Sequence, residues 1–333
     1  MNNELKKYLN DFSNICKKTN VFLVLNAQKH TKKMSYYTID HAIESEFFTQ
    51  KEVEEIVSSL LQTGLYVNIF YTEMEFIDYI LQHYSQLDKE SLIIYNLARD
   101  GLKEGKKSLI PSFCDYFNLD YTGSNAFVVS LCRNKFIWTS ILKNFGILVP
   151  KSIEYKDNLY IGEKFSSNRY IIKEISESAS INLDEHSLLD YFDWNSKPNL
   201  DKFLVQEYID GIEVEVPFFN INGKYIILNP VKIISSSSIL TSQISDNYLY
   251  KFDKLSDPEL INKIKIKTKK IAQYLNINTY GRIDFRIDKN KNIYVFDIAT
   301  MPYTTKHSSF SYNFNNYNLS LSDIHKLIIL SSL

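Results

Sequence analysis

The stretch YGRIDFRIDKNKNIYVFDIATMP, Tyr280 to Pro302, decides how the rest of the chain is read. Two runs in it, Arg282–Ile287 and Ile293–Ile298, alternate polar and apolar residues, the period of half-buried strands. The polar turn DKNKN (288–292) joins them as a hairpin. Successive side chains of a strand face opposite ways, so Arg282, Asp284 and Arg286 share one face. Asp297, near the end of the second run, is expected across from Asp284. Two neighbouring carboxylates repel unless a cation lies between them, and a few hard oxygens left open to phosphate are what a magnesium site requires. Arg282 would then serve an anion on the same face. An ordinary amphipathic hairpin with solvated charges is the alternative on this segment alone. A calcium loop is excluded: Asp288-x-Asn290-x-Asn292 begins like one, but Ile293 stands where glycine is required and Ala299 where glutamate is.

The chain has 333 residues, long for one core, so two or three lobes are expected. Its 44% hydrophobic content is that of a folded protein rather than a disordered one. The 38 basic and 39 acidic residues nearly cancel, so no global field points to nucleic acid or membrane. Cys16, Cys114 and Cys132 lack metal spacing and read as reduced thiols. The polar amphipathic start and the absence of any run near membrane-span length give a cytoplasmic expectation.

In chain order, Val21–Leu25 is a buried strand, 51–62 a helix closed by Gly64, Tyr66–Tyr71 a strand, Glu73–His83 a helix and Ser91–Tyr95 a strand. Strands alternating with helices predict a parallel αβ lobe, with site loops after Leu25 and Tyr95. Asn134 caps a helix that runs to Asn144, placing Lys135 in the first turn, where the helix dipole disfavours a cation. Arg169–Ile175 is a strand with Lys173 in its middle, costly unless an anion meets it. The block FLVQEYIDGIEVEVP (203–217) reads strand, linker, strand, or alternatively a hairpin turning at Asp210–Gly211. Ser256 and Pro258 open a long helix to about Leu275, and a last amphipathic helix covers about Ser320–Leu330.

The segments DYTGS (120–124), 203–217, RIDF (282–285) and FDIATMPYTT (296–305), in this order and with Lys135 and Lys173 between the first two, resemble the ATP-grasp ligases, and within them the D-alanine–D-alanine ligase-like family. The resemblance spans Ser91 to Ser309. It implies an α/β (α+β) ATP-grasp fold with an N-terminal αβ substrate lobe (1–122), a central lid (123–205) and a C-terminal subdomain carrying the metal site (206–333). It also implies ATP and Mg2+ as cofactors, small-molecule carboxylate and amine substrates of amino-acid type, no nucleic-acid or membrane partner, and a homodimer. By matched position, Lys135 and Lys173 contact ATP phosphates, and Ser178 and Ser180 lie in the loop over them. Gln206, Tyr208 and Ile209 frame the adenine, and Glu213 accepts the ribose hydroxyls. Asp284 and Asp297 hold the metal, Arg282 stabilises the oxyanion, and Ser308 holds the second substrate's carboxylate.

The implied chemistry is amide or peptide bond formation through an acyl phosphate. Several positions depart from the family pattern. The loop at 26–35 has neither glycine nor acid, loop 176–182 lacks glycines, Asp297 stands for Glu, Ala299 for Asn, and Tyr303 for Gly. These departures point to substrates other than two D-alanines, in a specialised pathway. The alternative is a non-catalytic ATP-binding or scaffold protein on the same fold.

Overall fold

The computed structural model describes residues 2–30, 45–101, 103–178, 180–195 and 202–333. Residues 31–35 of the loop at 26–35 lie outside them. The apolar run near the start forms β1 (Asn20–Leu25), buried along almost its whole length. It lies between β2 (Tyr66–Phe70) and β3 (Leu92–Leu97) in a parallel sheet of order β2-β1-β3. Parallel strands need crossovers, which the helices Gln50–Leu61 and Glu73–His83 supply. The first helix opens on a capping box between Thr49 and Glu52.

The central sheet is antiparallel: β4 (Ser152–Lys156), β5 (Leu159–Ile161), β6 (Tyr170–Lys173), β7 (Leu188–Leu189) and β8 (Lys202–Glu207), in order β5-β4-β8-β6-β7. It has its own core of Ile153, Tyr155, Tyr170, Phe192, Phe203 and Val205. The C-terminal sheet holds β9 (Ile212–Ile221), β10 (Lys224–Ile227), β11 (Val231–Ile234), β12 (Lys251–Lys254), β13 (Tyr280–Ile287) and β14 (Ile293–Ala299). Its order is β12-β11-β9-β13-β14, with β10 paired to β9. The helices Ala126–Arg133, Lys135–Asn144 and Pro258–Tyr274 pack on it through Val128, Trp138, Leu142, Ile264 and Ile271. One parallel and two antiparallel sheets make a mixed α/β architecture.

β8 and β9 belong to different sheets, so Tyr208–Gly211 is the linker of the strand–linker–strand reading and the hairpin alternative falls. Gly211 is required there: a Cβ at this position would sit 2.1 Å from the Ile287 carbonyl oxygen. Asn125 caps the helix Ala126–Arg133, and Asp257 rather than the expected Ser256 caps the long helix. The short helices Ser242–Asp246 and Ser309–Asn316 and the strands β11 and β12 went unforeseen in a serine-rich, aromatic-rich sequence of weak periodicity.

The N-terminal lobe does not stand apart from the C-terminal one. Leu5, Phe12, Val21 and Tyr95 share a single core with Phe219, Phe310, Ile324, Leu327 and Leu330. Tyr95 Oη lies 2.6 Å from His325 Nδ1 within it.

Candidate active site

Where the three sheets meet, a cavity of about 270 Å3 is lined by all three lobes, among others by Gln28, Arg99, Lys173, Gln206, Asp284 and Asp297. Gln28 and Arg99 come from the loops after β1 and β3, the strand ends where αβ lobes bind ligands.

The acidic corner follows from strand register. On β13, Asp284 is paired with Glu215 of β9 on one side and Asp297 of β14 on the other, so three carboxylates run in one row across three strands. Arg282, two residues away on the same face, meets Asp284 with both arms: Nε donates to Oδ1 at 2.8 Å and Nη2 to Oδ2 at 2.7 Å. Its Nη1 lies 3.5 Å from Glu215 Oε2. Burial works against the Arg282 charge, but Asp284 and Glu215 outweigh it and keep the guanidinium protonated. Burial pushes the Asp284 carboxyl up; Arg282 offsets this in part, and Glu215 and Asp297 add to the rise. One guanidinium therefore faces three carboxylates, and the Asp297 side chain makes no hydrogen bond or ion pair among the described residues. That excess of negative oxygen suits a divalent cation. Among the described residues no three metal-binding side chains converge on one point. Two carboxylates with open positions is the smaller donor set that magnesium accepts when phosphate oxygens complete its shell.

Two lysines line the same cavity. Lys135 heads its helix because the Asn134 side chain takes the N-cap, accepting from Ile137 N. Its ammonium donates to the backbone carbonyls of Ile175 and Glu177, while burial lowers its pKa against the pull of Asp297. Lys173, at the end of β6, has no hydrogen-bond acceptor among the described residues, only the Phe296 ring 5.7 Å away. Burial, with repulsion from Lys135, brings its pKa down to about 7. A cation left in this state is a place for an anion.

The adjoining wall is built from the connector after β8. Gln206 is buried and donates through Nε2 to Ser152 Oγ at 2.9 Å. Tyr208 packs with Ile171 and Ile239 in a small apolar cluster on the cavity wall, its hydroxyl donating to Ser238 O at 2.7 Å. Ile209 is buried beside it, and its carbonyl accepts from Arg286. Glu213 accepts from Arg286 Nη2 at 2.8 Å; burial raises its pKa and Arg286 opposes the rise.

The loop over the lysines is held by charges instead of glycines. Ser178 Oγ accepts from Lys107 at 3.1 Å and from Arg133 at 3.0 Å. A hydroxyl has one proton and two acceptor sites, so the Ser178 proton stays available to an incoming oxygen. Ser180 lines the same cavity in the left-handed region, φ +56°, its carbonyl accepting from Ser242 Oγ. Behind the loop, fully buried Glu46 pairs with Lys106 at 3.2 Å and Lys107 at 2.8 Å, and Lys106 also pairs with Glu177 at 2.8 Å. Burial opposes the Glu46 charge, but Lys107 and Lys106 hold its carboxyl far below the usual range.

Ser308 lines the cavity but caps the helix Ser309–Asn316. Its hydroxyl donates to Thr305 O at 2.7 Å and accepts from Ser311 N at 3.1 Å. A carboxylate there must compete with the Thr305 carbonyl.

Four wall residues escaped the sequence reading. Glu215 could have been found, since period-2 alternation places it beside Glu213 on β9. Glu52 brings an acid to the wall although the loop after β1 has none, and Tyr248 donates to it. Arg99, stacked over Tyr303 at 4.2 Å, and His307 carried no local signal.

Residues 186–330 match the family model described as "D-ala D-ala ligase C-terminus". The chain is 28% identical over 277 residues to the D-alanine–D-alanine ligase of Wigglesworthia glossinidia brevipalpis, covering 75% of each chain. It is 26% identical over 270 residues to that of Carboxydothermus hydrogenoformans, covering 74% of this chain and 83% of the relative. These similarities support a place for the chain in the D-alanine–D-alanine ligase-like family of ATP-grasp ligases. Its fold is accordingly similar to that of the Bacillus anthracis D-alanine–D-alanine ligase solved with ATP, with a TM-score of 0.65 at 17% identity, covering 94% of this chain and 97% of that one. The VanG D-Ala:D-Ser ligase of Enterococcus faecalis superposes with a TM-score of 0.63 at 14% identity, covering 95% of this chain and all of the other. In this chain the row Glu215–Asp284–Asp297 and the two lysines line one cavity where the three sheets meet.

Proposed function

We propose that the protein is a cytoplasmic ATP-dependent carboxylate–amine ligase working through an acyl phosphate, on amino-acid-like substrates other than a pair of D-alanines. The observation that carries the reading is the pair of part-desolvated lysines, Lys135 and Lys173, lining one cavity with the Arg282–Asp284–Asp297 corner. Phosphoryl transfer needs positioning and charge neutralisation rather than a protein nucleophile. The lysines, with the Ser178 and Ser180 hydroxyls, hold the phosphates; Gln206, Tyr208, Ile209 and Glu213 hold the nucleoside. Asp284 and Asp297 would hold magnesium, which supplies further charge neutralisation at the phosphates.

The substrate carboxylate attacks the γ-phosphorus and ADP leaves. The amine then forms the C–N bond and phosphate departs with the C–O electron pair. Arg282 opposes the oxyanion charge, and Ser308 lies where the second carboxylate would be received. Tyr303, stacked under Arg99, fills a turn that is open where the family has glycine. With the shorter Asp297, this supports altered substrates.

The test is ADP release from magnesium-ATP with pooled amino acids and small carboxylic acids, with mass spectrometry of each positive pool. Carboxylate-dependent release with a new amide mass supports the reading, and efficient D-Ala–D-Ala formation refutes the altered-substrate part. Asp284→Asn should abolish turnover in a folded protein. Ala299, which offers no side-chain oxygen, favours a non-catalytic ATP-binding protein as the second reading; ATP binding without turnover in any pool would support it.

A further inference from the structure

Two buried polar atoms on the cavity wall lack a hydrogen-bond partner. Glu215 Oε2 accepts no hydrogen bond, its nearest cation being Arg282 Nη1 at 3.5 Å. His307 Nε2 likewise has no hydrogen-bond partner. The two side chains come from different elements, β9 and the loop before Ser308, both line the cavity, and they are close enough to interact electrostatically. Buried polar atoms are nearly always paired, so two orphans on the wall of one cavity call for a missing partner. The His307 ring is fixed by Tyr248 (4.5 Å), Tyr250 (4.8 Å) and Phe252 (5.0 Å).

We infer that Glu215 and His307 form the subsite for the attacking amine, Glu215 receiving its ammonium and His307 taking the proton that must leave before attack. The inference rests on the acyl-phosphate reading above. The ammonium transfers one proton to His307 Nε2, and the freed nitrogen lone pair forms the bond to the acyl carbon. The C–O bond to phosphate breaks with its electron pair, the second N–H proton leaves with the phosphate, and His307 returns its proton to solvent. Burial lowers the His307 pKa and Glu215 opposes this, so the ring stays neutral at neutral pH, the form a base requires. The groups facing it are Glu215 from β9, Tyr248 and Tyr250 from the segment before β12, and, through the Tyr248 hydroxyl, Glu52. Both tyrosines are held protonated by burial, so none of these competes as a base near neutral pH.

Hydroxylamine separates this inference from the reading beneath it. It is neutral near pH 7 and nucleophilic, so it traps an acyl phosphate as a hydroxamate without an ammonium site or a base. Wild type, His307→Gln and Glu215→Gln are each given magnesium-ATP and a pool of D- and L-amino acids, with and without hydroxylamine. Hydroxamate, amide and ADP are quantified against pH. The expected result in His307→Gln is hydroxamate formation within about twofold of wild type, amide formation lowered roughly 10²-fold and loss of the acidic limb of its pH profile; Glu215→Gln, which also alters the pairing of Arg282, should raise the amine KM by a larger factor than it lowers hydroxamate formation. Equal loss of hydroxamate and amide, or no loss of either, overturns the amine subsite. If wild type releases ADP but forms no hydroxamate, the acyl-phosphate reading fails and the subsite with it.

Discussion

Lys173 gives the sharpest test of whether this cavity is built for an anion. Its ammonium sits at about 7 in place of 10.5, chiefly through burial. At about 1.4 kcal/mol per pKa unit this corresponds to roughly 5 kcal/mol of instability as an upper bound. Solvent screening of a half-buried group reduces it to roughly 2 kcal/mol. Lys173→Met removes the charge and keeps the stem, so the ATP-free variant should be more stable than wild type by about that amount. Urea unfolding followed through Trp194, which packs beside the central core, reads the difference. With magnesium-ATP that advantage should largely vanish, since a charge-assisted phosphate contact is lost and ATP should bind roughly 10–100-fold more weakly. The pH dependence has a definite sign. Below pH 7 the lysine is charged in both folded and unfolded chains and its penalty is complete. Between about 7 and 10.5 the unfolded chain binds the extra proton, so wild-type stability rises with pH and the gap to Lys173→Met closes. A less stable ATP-free variant, or one that ATP protects as well as it protects wild type, would refute the reasoning.

Glu46→Gln leaves Lys106 and Lys107 buried without their counter-charge and should cost about 3 kcal/mol in chemical denaturation. Because the Glu46 carboxyl is depressed in the folded chain, that difference should be full above pH 4.5 and shrink as pH falls below it. Gly211→Ala forces a methyl against the Ile287 carbonyl, 2.1 Å away. It should cost roughly 2–3 kcal/mol and raise the KM for ATP by displacing Tyr208 and Ile209; an unchanged KM with wild-type stability would contradict the connector's role.

The hairpin Tyr280–Ala299 was legible because alternation fixes which residues share a face, and from that the pairing of Asp284 with Asp297 followed. The Asn134 cap and the placement of Lys135 were equally legible, since capping is a local rule. Glu46, Lys106 and Lys107 were not: a charged residue reads as surface until its partner, about 60 positions away in the chain, is brought to it. Arg282 could be assigned to the site face, yet nothing in its spacing revealed that it would embrace Asp284. The helix Ser309–Asn316 was missed because Phe, Tyr and Asn have weak helix propensity; burial of Phe310 and Phe314 in the shared core overrides it.

That shared core bears on how the protein is made. Leu5, Phe12 and Val21 emerge early from the ribosome, but the surfaces they bury against include Ile324, Leu327 and Leu330. Strands β1 to β3 can pair soon after synthesis, and Val53, Ile56 and Leu60 cover part of one side of their sheet, yet that core stays incomplete until residues 321–330 arrive. The lobe synthesised first is therefore completed last, and during that interval an apolar surface on the nascent chain is open to chaperones or to aggregation.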